Sequence, residues 1–100
     1  MPDKYHEHSM VIAMNAYRFW WDEENIEHIA EHGVDPYEAE IVIRDALRIR
    51  KAIQGKYVAY GQTDGGRYLM VVFAHKDKGR LRVVTARDLT SEEKYRLRSK

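Results

Sequence analysis

Arg67, Arg80, Arg82 and Arg87 fall within a single stretch, residues 63–90, beside the strongest apolar run of the chain. A guanidinium held against a rigid sheet is well placed to meet a phosphate. Cleavage of an RNA strand through its 2′-hydroxyl builds negative charge on a phosphorane. One preorganised donor aimed at such charge typically contributes ~2.7–4 kcal/mol. Tyr57, Tyr60, Tyr68 and Tyr95 could stack bases or donate to phosphate, although tyrosine is also an ordinary residue of half-buried strands. The arginines equally suit a solvated surface or one that meets an acidic partner. His28 and His32 stand four apart on a predicted helix, the spacing of a metal-binding pair. The residues between them, Ile29-Ala30-Glu31, do not make the H-E-x-x-H pattern, and no third ligand is evident. Stabilisation of His32 by the dipole at a helix C-terminus is the plainer reading. A general acid or base role stays open, because imidazole titrates near neutrality. No glycine loop of nucleotide-binding type is present, and Gly61, Gly65 and Gly66 punctuate strands and turns.

The elements that must position these groups follow from hydrophobic period and capping chemistry. Residues 17–21, YRFWW, read as a short aromatic strand with Tyr17, Phe19 and Trp21 on one face. Asp22 is an N-cap, and Ile26, Ile29 and Ala30 give Glu23 to His32 an amphipathic helical pattern ended by Gly33. Asp35, Pro36 and Glu38 restart a helix with cap, first-turn proline and capping-box acid. Ala39, Val42, Ile43 and Ala46 line its apolar stripe. From Leu47 to Ile53 the period switches to two, as in an edge strand. A second strand spans residues 57–63, and Asp64-Gly65-Gly66 leads tightly into a hairpin. The run from Tyr68 to Ala74 is apolar throughout, which predicts a central strand covered on both faces. Lys76-Asp77-Lys78-Gly79 supplies the turn. The return strand, Arg80 to Arg87, places Leu81, Val83, Thr85 and Arg87 on one face if its alternation is ideal. Arg82 then lies opposite Arg87. A β-bulge near Thr85, or a turn at Ala86, is needed for both to reach one phosphate. Thr90 and Glu93 cap a last, short and mostly polar helix.

This order predicts an α+β domain: a four-stranded antiparallel meander, a short N-terminal strand, two helices on one face and a short C-terminal helix. One hundred residues suffice for one modest core. The domain is expected over residues 18–98, with 1–17 an N-terminal extension free to fray, in which Met10 or Met14 could be alternative starts. The extension lacks the pattern of a signal peptide, and no apolar run approaches the ~18 residues of a membrane span. With no cysteine, cytoplasmic residence is the default. The net charge of +1 conceals a division: residues 1–43 carry two basic against ten acidic side chains, and residues 44–100 carry fifteen against six. The second part suits a polyanion, unless the acidic helices fold back on a basic sheet and cancel its field locally.

Taken in order, Trp21-Asp22, His32-Gly33-Val34, Gly61-Gln62-Thr63, Gly66-Arg67 before Leu69-Met70-Val71-Val72-Phe73, and Arg82-Val83-Val84-Thr85-Ala86-Arg87 resemble the BrnT family over about residues 18 to 96. These are small toxins of type II toxin–antitoxin pairs with a fold similar to the RelE/ParE ribonucleases. The resemblance implies a metal-independent endoribonuclease, without a cofactor, that cuts mRNA and halts translation. It implies as partner a ribbon-helix-helix antitoxin, through which alone the pair meets operator DNA. Carried over by motif, Arg67, Arg82 and Arg87 are the expected phosphate-binding and charge-stabilising residues. His32 would position or transfer a proton, and Tyr95 would match a tyrosine of RelE-like enzymes. The family commonly has Lys directly before His-Gly-Val and Asn three positions earlier, where this chain has Glu31 and His28. A non-catalytic module binding RNA or protein on the same fold is the alternative.

Overall fold

Each helix begins where a side chain takes up the first free amides, and the computed structural model, which describes residues 18–99, shows the same device three times. Helix α1 (Glu23–Ala30) starts at Asp22, whose carboxylate accepts from the Asn25 amide while Asn25 Oδ1 accepts from the Asp22 amide. Helix α2 (Pro36–Arg44) repeats the arrangement with Asp35 and Glu38, and α3 (Ser91–Arg98) with Thr90 and Glu93. The end of α1 comes at Ala30, slightly before the expected His32, and the chain turns through Gly33 at φ 70°. That is the left-handed region which glycine alone enters without penalty. The reading of residues 1–17 as an extension lies outside the described residues.

Strands β1 (Arg18–Trp20), β2 (Arg48–Lys51), β3 (Lys56–Gln62), β4 (Tyr68–His75) and β5 (Arg80–Asp88) form one sheet in the order β1-β5-β4-β3-β2. β2 to β5 are the expected antiparallel meander, while β1 adds to the far edge parallel to β5. The α+β reading therefore holds, with α1 and α2 on one face. Ile29, Val34, Val42 and Ile43 pack there against Ala59, Leu69, Val71, Phe73, Leu81, Val83 and Ala86. Gly61 lets α2 lie close on β3, since a side chain there would meet Val42 at 3.4 Å.

Two expectations are corrected. β4 is the middle strand but is sealed on one face only. Leu69, Val71 and Phe73 are buried, whereas Tyr68, Met70, Val72 and Ala74 are half-buried. The reason is that α3 buries none of its own residues and crosses only part of the second face. The alternation of β5 also breaks. Val72 pairs with Thr85 but Phe73 pairs with Val83, which leaves Val84 as the extra residue of a bulge. Leu81, Val83 and Ala86 consequently share the buried face, and Arg82, Thr85 and Arg87 share the other.

Candidate nucleic-acid interface

The face of the sheet away from α1 and α2 is built of transverse rows, one residue from each strand. Arg48, Tyr60, Met70 and Arg87 are successive partners across β2, β3, β4 and β5. The next row is Arg50, Val58, Val72 and Thr85. Beyond it come Lys56, Ala74, Arg82 and, across the parallel seam, Trp20. No strand contributes a carboxylate to this face. Among the described residues, the acidic side chains of the first part of the chain belong to α1, α2 and their caps, so the division of charge along the sequence becomes largely one between helices and sheet, with Asp22 and Glu24 reaching to Arg82.

Helix α3 lies over the first row. Glu93, Arg96 and Leu97 from the helix and Arg48, Arg50 and Tyr60 from the strands line a shallow cleft. At its side Arg87 donates two parallel hydrogen bonds to the Glu93 carboxylate, each 2.9 Å, and a third to the Asp88 carbonyl. The Arg87 guanidinium, followed by the Thr90 amide, holds the Glu93 carboxyl down at about 2, well under its ordinary 4.5. Arg50 Nε donates to the Tyr60 hydroxyl at 3.1 Å. Arg82 is held less tightly, 3.7 Å from both Asp22 and Glu24, and stands over the Trp20 ring.

Arg67 faces the other layer. Its Nε and Nη2 donate to the two oxygens of Asp88 at 2.7 and 3.1 Å. Its Nη1 donates to the Gly33 carbonyl at 2.7 Å and to Glu38 at 3.2 Å, and Nη2 also donates to the His32 carbonyl at 3.1 Å. A guanidinium has five N–H groups, and these contacts engage them all. The arrangement ties the α1–α2 turn to the end of β5, and Arg67 draws the Asp88 carboxyl below its usual range. His32 serves the clamp through its carbonyl, while its exposed imidazole lies beside that of His28, ring centroids 6.4 Å apart. Tyr95 is 72% exposed on α3 and does not line the cleft. Among the described residues, no group of three or more His, Cys, Asp or Glu gathers as a metal site, and no helix is long and apolar enough to cross a membrane.

Residues 20–93 match the model of a family described as the ribonuclease toxin BrnT of type II toxin–antitoxin systems. The chain belongs to the BrnT family. Among solved structures it is similar to the BrnT ribonuclease toxin of Brucella abortus, at 22% identity and a TM-score of 0.59, over 75% of this chain and 99% of that one. At that identity the likeness is one of fold. A search of curated proteins returns no match. Membership of the BrnT family brings with it an antitoxin partner and an RNA substrate. The matched span runs from Trp20 to Glu93 and so takes in every row of the open face and the whole Arg67 clamp.

Of the five residues singled out from sequence in this BrnT chain, the fold brings Arg82 and Arg87 to the open face. It gathers Arg67 with the backbone of His32 on the opposite side, and leaves Tyr95 apart from both groups. Sequence reasoning passed over Arg48 and Arg50, although the period of two in residues 47–53 already put them on one face of an edge strand. Glu93 was legible only as a helix cap. Nothing local announces its second bond to Arg87.

Proposed function

We propose that this BrnT-family chain is an endoribonuclease toxin that needs no metal, cuts mRNA through the 2′-hydroxyl and halts translation in the cytoplasm. Its antitoxin is proposed to carry the ribbon-helix-helix domain that takes the pair to operator DNA. The observation that supports the reading best is the row Arg48–Tyr60–Met70–Arg87 beneath α3, where cations from different strands and a phenol converge on one cleft edge. In the reaction the 2′-oxygen attacks the adjacent phosphorus and the bond to the 5′-oxygen breaks. The 2′-hydroxyl loses a proton, the leaving oxygen gains one, and a cyclic phosphate remains. Charge on the non-bridging oxygens is what Arg87, with Arg48 and Arg50, would stabilise. Arg87 exchanges Glu93 for the phosphate, and a carboxylate so released becomes more basic, which makes Glu93 the candidate acceptor of the 2′ proton. Tyr60, hydrogen-bonded to Arg50, is the phenol we assign to the leaving oxygen, the task the resemblance would give Tyr95. Arg67 and His32 act by holding the turn, and Arg82 by holding RNA further along the sheet.

The test is inducible expression beside an Arg82→Ala/Arg87→Ala double variant, with growth and transcript integrity followed together. Growth arrest with cleaved mRNA, lost in the double variant and relieved by co-expressed antitoxin, is the expected result. Cleavage by purified protein should persist in EDTA. Intact transcripts and normal growth with folded protein present would reduce the open face to a binding surface.

A further inference from the structure

The open face ends, away from α3, in an aromatic and cationic group. Trp20 pairs with Arg82 across the parallel seam, so its indole lies on the open face, whereas its neighbours Phe19 and Trp21 pack against the core. Lys76 Nζ stands 4.2 Å and Arg82 Cζ 5.3 Å from the Trp20 ring centroid. Among the described residues Lys76 has no carboxylate within ion-pair distance, and the carboxylates nearest Arg82 are at 3.7 Å against 2.9 Å for Arg87 and Glu93. These cations are therefore more available to an incoming anion than the Arg87 pair. Tryptophan is the best ring for holding a cation and a ready platform for a base. Between this end and the cleft lies the row of Val58, Val72 and Thr85, with no charge at its centre. Met70 and Ala74 mark the two ends on β4, four residues apart, or ~13 Å at the strand rise.

We infer that Trp20, Lys76 and Arg82 form a second subsite for single-stranded RNA, distant from the bond that is cut. Trp20 stacks a base, and Lys76 and Arg82 hold the phosphates on either side of it. The direction of the strand toward Arg87 rests on the ribonuclease reading, but binding at the subsite can be measured without cleavage. A duplex keeps its bases stacked inside and has no use for the half-buried indole, so the occupant is a single strand. An acidic protein segment would find the cations but leave the ring idle.

The experiment compares the full chain with Trp20→Leu and Lys76→Gln for binding a single-stranded 2′-O-methyl RNA, which resists cleavage, in short and long versions. Lys76 lies in an exposed turn, so its variant tests the subsite even if Trp20→Leu folds poorly. Each variant should bind the long RNA roughly tenfold more weakly, with a smaller loss for an oligonucleotide too short to span both rows. With cleavable RNA the loss should appear in KM more than in kcat. Unchanged affinity for the long RNA in both folded variants, or wild-type protein that binds no RNA, overturns the subsite. So does a polyglutamate peptide of equal charge that competes as well as RNA. Weakened binding in the variants, with no cleavage by any protein including wild type, upholds the subsite and removes the ribonuclease reading instead.

Discussion

Arg82 and Arg87 project from the same face of β5 although five positions separate them, because Val84 is an extra residue between Phe73's partner and Val72's. An unbroken strand would have turned one of the two arginines into the helix layer. The bulge thus reconciles a buried stripe of Leu81, Val83 and Ala86 with a basic face that runs the length of the strand. It also shows how a local irregularity can decide which side chains a surface presents.

Deleting Val84 should remove the bulge and leave the faces of everything after it unchanged, because Thr85 then follows Val83 directly in the ladder. Ala86 would stay opposite Val71 and Arg87 opposite Met70, so both arginines keep the open face. The deletion variant should keep a cooperative urea transition, and Val84→Ala should unfold cooperatively with a loss of about 1 kcal/mol or less; a deletion variant without a cooperative transition would contradict this register.

The Arg87–Glu93 pair predicts an acid-sensitive fold. Glu93 is depressed from 4.5 to about 2, so its contribution is full above the ordinary value and is lost as pH falls between those limits. Melting temperature should drop steadily from pH 5 to pH 3, as estimated from that window, and less steeply in Glu93→Gln. Asp88, also depressed through Arg67, should keep part of the slope in that variant. An identical slope in wild type and Glu93→Gln would contradict the assignment.

Arg67→Lys should destabilise the protein by ~2 kcal/mol in urea, because one ammonium cannot serve Asp88, Glu38 and two carbonyls at once. Binding of uncleavable RNA per folded molecule should remain near that of wild type. A large loss of RNA affinity at unchanged stability would return Arg67 to the binding face.

Asn25 is 1% exposed and makes four structural bonds: it closes the α1 cap in both directions, and its Nδ2 donates to the Trp20 carbonyl at 3.2 Å and the Val83 carbonyl at 3.5 Å. Asn25→Ala should cost ~2 kcal/mol, and Asn25→Asp more, since it buries a carboxylate against a carbonyl it cannot satisfy. Chemical denaturation of the two variants checks the order.

Caps, turns and the order of elements were legible because each is set by a few neighbouring residues, as at Asp35-Pro36 and Thr90 with Glu93. The α+β class followed from them. The coverage of β4 was not, since an apolar run reports what a strand tolerates rather than what lies over it, and α3 proved too polar to seal the second face. The parallel seam of β1 depends on contacts far apart in sequence, and the Val84 bulge depends on the partner strand. On the open face, arginine was recognisable as the residue type that sets the charge. Its role was not, because Arg67 and Arg87 look alike until their partners are known: one binds the backbone of a turn, the other a single carboxylate beside a cleft.

Among the described residues, the separation of acidic helices α1 and α2 from a basic sheet makes an electric dipole whose positive end is the face proposed to meet RNA. In the field of a polyanion such a body is turned before it is touched, so that most encounters begin with the correct side forward. Association should accordingly be fast at low salt and slow markedly as salt is added. The helical layer would then contribute to recognition by repulsion, without touching the RNA.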